Sequence, residues 1–444
     1  MTDGLPMPRR LWAAVVLLLG IGLTVLDASS LNVALPAISD EFGVQPASVV
    51  WIVNAYSLTV LSLLLPLAAV AERVGFRRMF VCGMSLFLAS AALGALSTSL
   101  PWLIAARMGQ GVGAASLMCL FGGLVRAIYP REMLGRGISW NAMTVGMTAV
   151  LGPSIGSTIL AAGSWRWILL LSLPIGLLAL AGVRKLPEVP TVRARFDMAS
   201  ALLSMLMFGL FVVGLDHLAS HPLRALAMMA LAVLPGRLLY VRSRRQAAPL
   251  APVDLLHIPA IGFAVSASAF MFAAQMATIV SLPFYFLKVL GRDYLELGML
   301  MGAWPIGTAV MAPVAGWLSD RAPAARLSAI GAAVMVAGLA TLLGLPKDVG
   351  NGWIMLTMTL TGIGFGFFQT PNNRAMLSSA PLERSGAAGG MQATTRVFGQ
   401  SVGAACVAVG FGLHDTQGPI LGLCAALLCA SAAVALNLWR MRAE

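Results

Sequence analysis

The sequence predicts an all-α polytopic membrane protein, and three observations predict it. Of 444 residues, 59% are hydrophobic and only 10% charged, against roughly 25% charged in a soluble domain. Apolar runs of about 20 residues, enough to cross ~30 Å of hydrocarbon as helix, recur along the whole length. Basic residues stand in short clusters between those runs, so the net charge of +12 reads as topology and not as an affinity for nucleic acid.

Taken in order, fourteen spans are expected at 11–35, 48–70, 79–98, 102–125, 138–161, 166–183, 198–216, 223–241, 258–287, 295–318, 327–345, 352–376, 387–412 and 418–439. The first run is too long for a cleaved signal peptide and lacks its small-x-small site, so it stays as span 1. The eighth is the weakest, because Pro235 and Arg237 interrupt it. With the N-terminus in the cytoplasm, 22 Lys and Arg fall in cytoplasmic segments and five outside (Arg166, Arg224, Lys288, Arg292, Lys347). That bias predicts a multi-pass protein of the cytoplasmic (inner) membrane with both termini in the cytoplasm. Arg107 and Arg396 remain inside spans.

An internal repeat organises the chain. Glu72, Arg73 and Arg78 correspond to Asp320, Arg321 and Arg326 at one offset of 248 residues, and Arg136 to Arg384. LGPSIG at 151–156 matches FGQSVG at 398–403 with the register moved by one. The expected organisation is an N-terminal six-helix bundle (1–187), two inserted helices with basic flanks (188–250) and a C-terminal six-helix bundle (251–444). Parallel halves place a substrate cavity between them near the bilayer midplane.

Asp27, in LDASSLNVALP (26–36), is the one acid deep inside a span. An ionised acid there costs at least ~3 kcal/mol, which marks it as a functional candidate facing a cavity. Asp216 and Glu296, near the external mouth, are secondary candidates. In span 4, Arg107 and Gln110 are three apart and share a helix face. The five cysteines fall in apolar runs with neither a CxxC nor a zinc spacing, and read as packing residues. Four histidines have no nucleophile or metal-ligand partner in register, and no Gly-rich phosphate loop with Lys and Ser/Thr occurs. An enzyme, a metal site and an ATP-driven pump are therefore not expected.

Several motifs together resemble the major facilitator superfamily, and specifically its fourteen-span drug:proton antiporters. LDASSLNVALP is similar to the span-1 signature, with Asn32 and Pro36 in its helix-shaping part, and WRWILLLSLPIG (165–176) to the span-6 signature. Arg107-Met108-Gly109-Gln110-Gly111-Val112-Gly113 matches the Arg-x-x-Gln-Gly-x-Gly pattern, which implies a part for Arg107 in proton transfer with Asp27. Gly152, Pro153 and Gly156 resemble the antiporter motif, which implies export; Ser157 departs from a usual Gly. Glu72, Arg73, Arg77 and Arg78, with Asp320 and Arg321, stand where the family has a cytoplasmic latch between the halves. Here Glu72 replaces the usual Asp, and Phe76 a usual Arg.

Polar stripes supply substrate-contact candidates: Gln392, Arg396 and Gln400 at four-residue spacing in span 13, and Gln369, Asn372 and Asn373 in span 12. Trp51, Asn54, Tyr56, Phe272, Gln275 and Trp304 are softer candidates, for which ordinary packing is an equal alternative. The expected function is proton-coupled antiport exporting amphipathic compounds, cationic ones favoured because proton and cation would compete for Asp27. Two other readings stay open. One is a proton-coupled transporter of an anionic or zwitterionic metabolite, suggested by two buried arginines against one acid. The other is a non-transporting sensor or scaffold, against which the absence of a soluble domain argues. No cofactor beyond the proton gradient is expected; partners are a small-molecule substrate, protons and lipid, not nucleic acid, with the chain a monomer, and the short connection between spans 13 and 14 offers no docking loop there that would indicate an adaptor or outer-membrane channel.

Overall fold

The computed structural model describes residues 4–130, 133–188, 197–218, 221–244, 246, 253–319, 321–380, 385–414 and 416–443. Among these there is no strand. Every long apolar run has become a helix, because a chain in hydrocarbon must satisfy its backbone N–H and C=O groups internally.

Among the described residues, fourteen long helices follow one another. The first half holds α1 (Arg9–Phe42), α2 (Pro46–Val74), α3 (Phe76–Ala95), α4 (Leu100–Ile128), α5 (Leu134–Ala162) and α6 (Arg166–Lys185). Next come α7 (Met198–Asp216) and α8 (Pro222–Ser243). The second half holds α9 (Pro259–Val289), α10 (Tyr294–Ser319), α11 (Ala324–Gly344), α12 (Asn351–Ser378), α13 (Ser385–Leu413) and α14 (Gly418–Ala443). Thirteen of the fourteen are long and apolar enough to cross a membrane; threonine and glycine dilute the apolar character of α12. The architecture is an all-α, polytopic membrane fold with both termini at one face.

One helix differs from expectation, and the weakest expected span is present as a helix. Helix α1 does not end before Pro36 but runs through it to Phe42. Proline removes a single backbone hydrogen bond, and the helix stops only where Gly43 turns left-handed (φ 61°) and its N–H reaches Ser39 O. Helix α8, the weakest of the expected spans, is continuous through Pro235 for 22 residues and is long and apolar enough to cross a membrane. It packs on α7, where Gly214 admits Met228 and Met229, and it turns Leu226, Leu231 and Leu234 outward. In lipid that outward apolar surface is the ordinary state of a peripheral helix.

The halves meet along three lines: α5 on α10, α2 on α13, and α1 on α9. Helix α7 lies over the second of these, touching both α2 and α13. The apolar core is asymmetric across the membrane. At the face remote from the termini, one continuous core takes residues from both halves, among them Leu35, Ile38, Val53, Val280, Phe284 and Leu300. Toward the terminal face it separates into a core around Leu17, Phe80 and Leu124, mainly of the first half and joined by Val397 of α13, and small second-half cores around Ile261 and Leu327. The halves are thus joined at the remote face.

Candidate functional site

Asp27 is buried and paired. Arg107 donates from Nη1 to Asp27 Oδ2 at 2.5 Å and to Gln110 Oε1 at 2.7 Å, and Gln110 Nε2 donates to Asp27 Oδ1 at 3.2 Å. Each carboxylate oxygen therefore has a donor, and the three side chains close a ring between α1 and α4. The three-residue spacing of Arg107 and Gln110 produces this, since it puts both on the face toward α1. Arg107 also lies over the Tyr56 ring of α2, 4.3 Å from its centroid, a cation–π contact of ~0.5–2 kcal/mol. Its Nε remains buried without a partner.

Glycines hold this ring in place. A Cβ at Gly111 would sit 2.8 Å from Thr59 Cβ of α2, and one at Gly113 would sit 2.7 Å from Gly83 O of α3. Helix α4 can approach both neighbours only with hydrogen at those positions. On the other side of α1, a Cβ at Gly152 would fall 1.9 Å from Ser29 Oγ, and one at Gly156 would fall 2.7 Å from Ser30 O. The Gly-Pro segment of α5 thus grips α1 two to three residues beyond Asp27. Its other face meets the second half, with Ser157 against Gly298 and Ser154 against Gly302 of α10. Ser157, a departure from the expected glycine, is the side chain that fills the notch at Gly298.

The second half repeats the packing without the charge. Gly399 and Gly403 of α13 press on the backbone at Ala269 and Ala273 of α9, as Gly152 and Gly156 press on α1. The 248-residue offset sets Gln275 opposite Asp27 and Trp304 opposite Tyr56. Trp304 is buried against Phe365, which meets Phe272 edge-on.

The other candidates divide. Gln275, Gln369, Gln392, Arg396 and Gln400 are all partly exposed, although α13 residues between the last three are buried. Arg396 forms no ion pair among the described residues, and its charge acts on Tyr56, which also feels Asp27 and Arg107. It brings a positive charge of the second half to the seam. Asn372 lies elsewhere: its amide donates to Ala264 O and Ser268 Oγ and its oxygen accepts from Arg440, so it ties α12 to α9 and α14 inside the second half. The Asn373 oxygen is buried without a partner. Asn32 is buried in α1. Asn54, fully buried, turns its amide to Asp216 of α7.

A family model described as Major Facilitator Superfamily matches residues 17–404. The chain belongs to the major facilitator superfamily. It is 41% identical over 433 residues to the uncharacterised transporter YebQ of Escherichia coli K12, covering 96% of this chain and 95% of that one. It is 27% identical to the riboflavin transporter RibZ of Clostridioides difficile (90% and 88% covered) and 32% identical to the cephamycin export protein CmcT of Amycolatopsis lactamdurans (86% and 81%). A crystal structure of a POT family transporter in complex with a thioalcohol-conjugated peptide superposes with a TM-score of 0.74 at 15% identity, covering 97% and 94% of the two chains. That last likeness carries the fold alone.

As a major facilitator protein, the chain joins its two halves by an ion pair at the remote face among the described residues. Arg77 pairs with Glu188, just past the end of α6, at 2.9 Å, Arg321 lies over Trp317 in the last turn of α10, and Arg73 donates to Ala69 O. Glu72 and Arg78 are exposed, Glu72 has no ion pair among the described residues, and Asp320 lies outside them. Lys288 at the end of α9 binds Asp40 at the end of α1, at 2.6 Å, at the remote face. Sequence reasoning passed over this pair although its two residues stand 248 apart, at the repeat offset and with opposite charge. Beside it, Glu41 accepts from Trp165 and Arg166, each at 2.6 Å.

Proposed function

We propose that the chain is a proton-coupled exporter of amphipathic small molecules, working by alternating access between its two halves in the cytoplasmic membrane. The observation that carries this reading is the buried ring of Asp27, Arg107 and Gln110, set against Tyr56 at the seam. It holds a carboxylate that can take up a proton only by giving up Arg107, and a change of charge at a packed seam is what couples a proton to a conformational step. The grip of Gly152 and Gly156 on α1, the export named for CmcT and the positive-inside bias support export with both termini in the cytoplasm. In that orientation the joined, remote face is external and the state is inward-facing. Asp27→Asn in proteoliposomes tests the reading. Transport driven by an imposed pH gradient is expected to be lost while exchange of substrate persists, and gradient-driven export left intact in the variant would remove Asp27 as the proton carrier.

A second reading, a proton-coupled transporter of an anionic or zwitterionic metabolite, is favoured by Arg396. With Asp27 already neutralised by Arg107, a cation has no free carboxylate in the middle of the seam among the described residues, whereas an anion has Arg396. Arg396→Ala cripples an anion carrier and spares a carrier of cations.

A further inference from the structure

Asp216 ends α7, the first of the two inserted helices, and its side chain is only 9% exposed. It sits at the remote face, where the halves are joined. Trp51 of α2 donates from Nε1 to its Oδ2 at 2.7 Å, and Asn54 Nδ2 stands at the hydrogen-bond limit, 3.5 Å from Oδ1. Asn54 is fully buried and its own Oδ1 has no partner. Among the described residues no lysine or arginine pairs with Asp216.

The contrast with Asp197, at the other end of the same helix, is instructive. Asp197 takes hydrogen bonds from Arg242, Gln246, Ser200 Oγ and Ser200 N, a donor set that only a carboxylate needs. Asp216 has one short donor and one amide. An amide can present either its N–H or its oxygen, and so serves both protonation states; an indole N–H reaches the carboxylate and the carbonyl of the neutral acid in the same geometry, but binds the carboxylate more strongly. The setting offers hydrogen bonds to both forms, and the one nearby group that can carry a compensating charge, His217, is itself titratable.

We infer that Asp216 is a second proton-binding site, carried by the inserted helix pair and distinct from Asp27. The inference rests on the proton-coupled reading above and extends it. When the remote face closes, Asp216 is drawn out of water against Trp51 and Asn54, and desolvation sets a cost on its charge that protonation removes. A proton taken up from the external side therefore favours closure of that side, the direction in which a proton-driven exporter must turn after releasing its substrate. His217 supplies the route: its ring is 40% exposed, and its Nδ1, 3.9 Å from Asp216 Oδ2, also contacts Val213 O at 2.9 Å. The other titratable or charged groups on the elements packed against α7 are Tyr56, Glu72 and Arg73 on α2, Arg224, Arg237, Tyr240 and Arg242 on α8 with His221 at its cap, and Arg396 and Cys406 on α13 with His414 after its end; Glu72, Arg73, Arg237, Tyr240 and Arg242 stand toward the opposite ends of their helices. None of them forms a described ion pair with Asp216.

Infrared difference spectroscopy of the reconstituted full-length protein, titrated from alkaline to acid buffer, reads protonated carboxyl groups directly. Wild type is expected to show a protonated-carboxyl C=O band that is lost in Asp216→Asn and kept in Asp27→Asn. Trp51→Phe, which removes the one short donor to the carboxylate, is expected to move the midpoint of that band to higher pH. A spectrum of Asp216→Asn identical to wild type overturns the inference, as does a midpoint unmoved in Trp51→Phe. Those results leave the role of Asp27 standing. Conversely, intact proton-driven export in Asp27→Asn removes that role and leaves the Asp216 band as evidence for its own site.

Discussion

Arg107 Nη1 stands 2.5 Å from Asp27 Oδ2, and the two side chains are 2% and 1% exposed. A pair this dry contributes little net stability when whole, yet removing one partner strands a charge and costs ~3–5 kcal/mol. Arg107→Ala is therefore expected to lower the thermal stability of the detergent-solubilised protein sharply. Asp27→Asn keeps the shape and is expected to lower it less, since Arg107 retains Gln110 and the Tyr56 ring. The double variant is expected to lose less than the sum of the two. Additive losses would show that the two groups do not interact.

Gly152 and Gly156 both press on α1, but against different atoms. The obstacle at Gly152 is the Ser29 side chain; at Gly156 it is the Ser30 carbonyl. Alanine at either position is expected to cost ~1–3 kcal/mol by overpacking. Ser29→Gly is expected to recover most of the loss in Gly152→Ala. No side-chain change on α1 is expected to rescue Gly156→Ala, because backbone cannot be trimmed. Thermal unfolding of the singles and doubles decides it.

The difference between these glycines bears on how much the sequence shows. Span positions were legible because apolar length is a one-dimensional property. The Asp27, Arg107 and Gln110 ring was nearly legible too, since one buried acid and an i, i+3 pair of polar residues have few ways to be satisfied. Asn372 was not: a polar residue on a helix stripe looks the same whether it faces a cavity or holds two other helices, and only the positions of Ala264, Ser268 and Arg440 separate the cases. The ion pair of Asp40 and Lys288 was hidden for another reason. A charge at a helix end reads as solvated until the facing element is known, although here the repeat offset links the two residues.

Asp40 and Lys288 are 59% and 51% exposed, so their pairing adds at most ~1 kcal/mol to stability. The apolar core beneath them, including Ile38, Val280 and Phe284, closes the remote face. Asp40→Ala is thus expected to leave thermal stability nearly unchanged. The double variant Asp40→Cys, Lys288→Cys, joined by a short bifunctional thiol reagent, is expected to stop transport by holding that face shut, with a cleavable reagent restoring it. Unimpaired transport in the cross-linked protein would show that this face does not open.

Asp197 caps α7 and joins it to α8 at the terminal face. Burial works against its charge, but hydrogen bonds from Arg242, Ser200 and Gln246 outweigh that and hold its carboxyl well below the usual carboxylate range. A depressed native value means stability that is present above the unfolded-state pKa and lost as pH falls through the native one. The docking of α8 is expected to persist through mildly acid conditions and to fail only below the ordinary carboxylate range. Asp197→Ala removes the cap as well, about 1 kcal/mol, and is expected to increase hydrogen exchange in the first turn of α7 at all pH values.

Arg396 lies on the second half, and its charge and that of Arg107 both act on Tyr56. A proton on Asp27 leaves Arg107 uncompensated and adds a positive charge to a seam that already holds one. Linkage is reciprocal, so a cationic ligand in the seam is expected to bind more weakly on acidification and an anionic one more tightly. Arg396→Gln removes one charge and leaves the Asp27 pair untouched. At ~10 Å and an effective dielectric of about 20, one charge is worth ~1–2 kcal/mol, up to about tenfold in affinity. Tetraphenylphosphonium is expected to bind more tightly to Arg396→Gln and fluorescein more weakly, each by up to that factor, with the direction of the pH dependence unchanged. Affinities unmoved for both ligands would put Arg396 outside the substrate path and remove the observation that favours an anionic substrate.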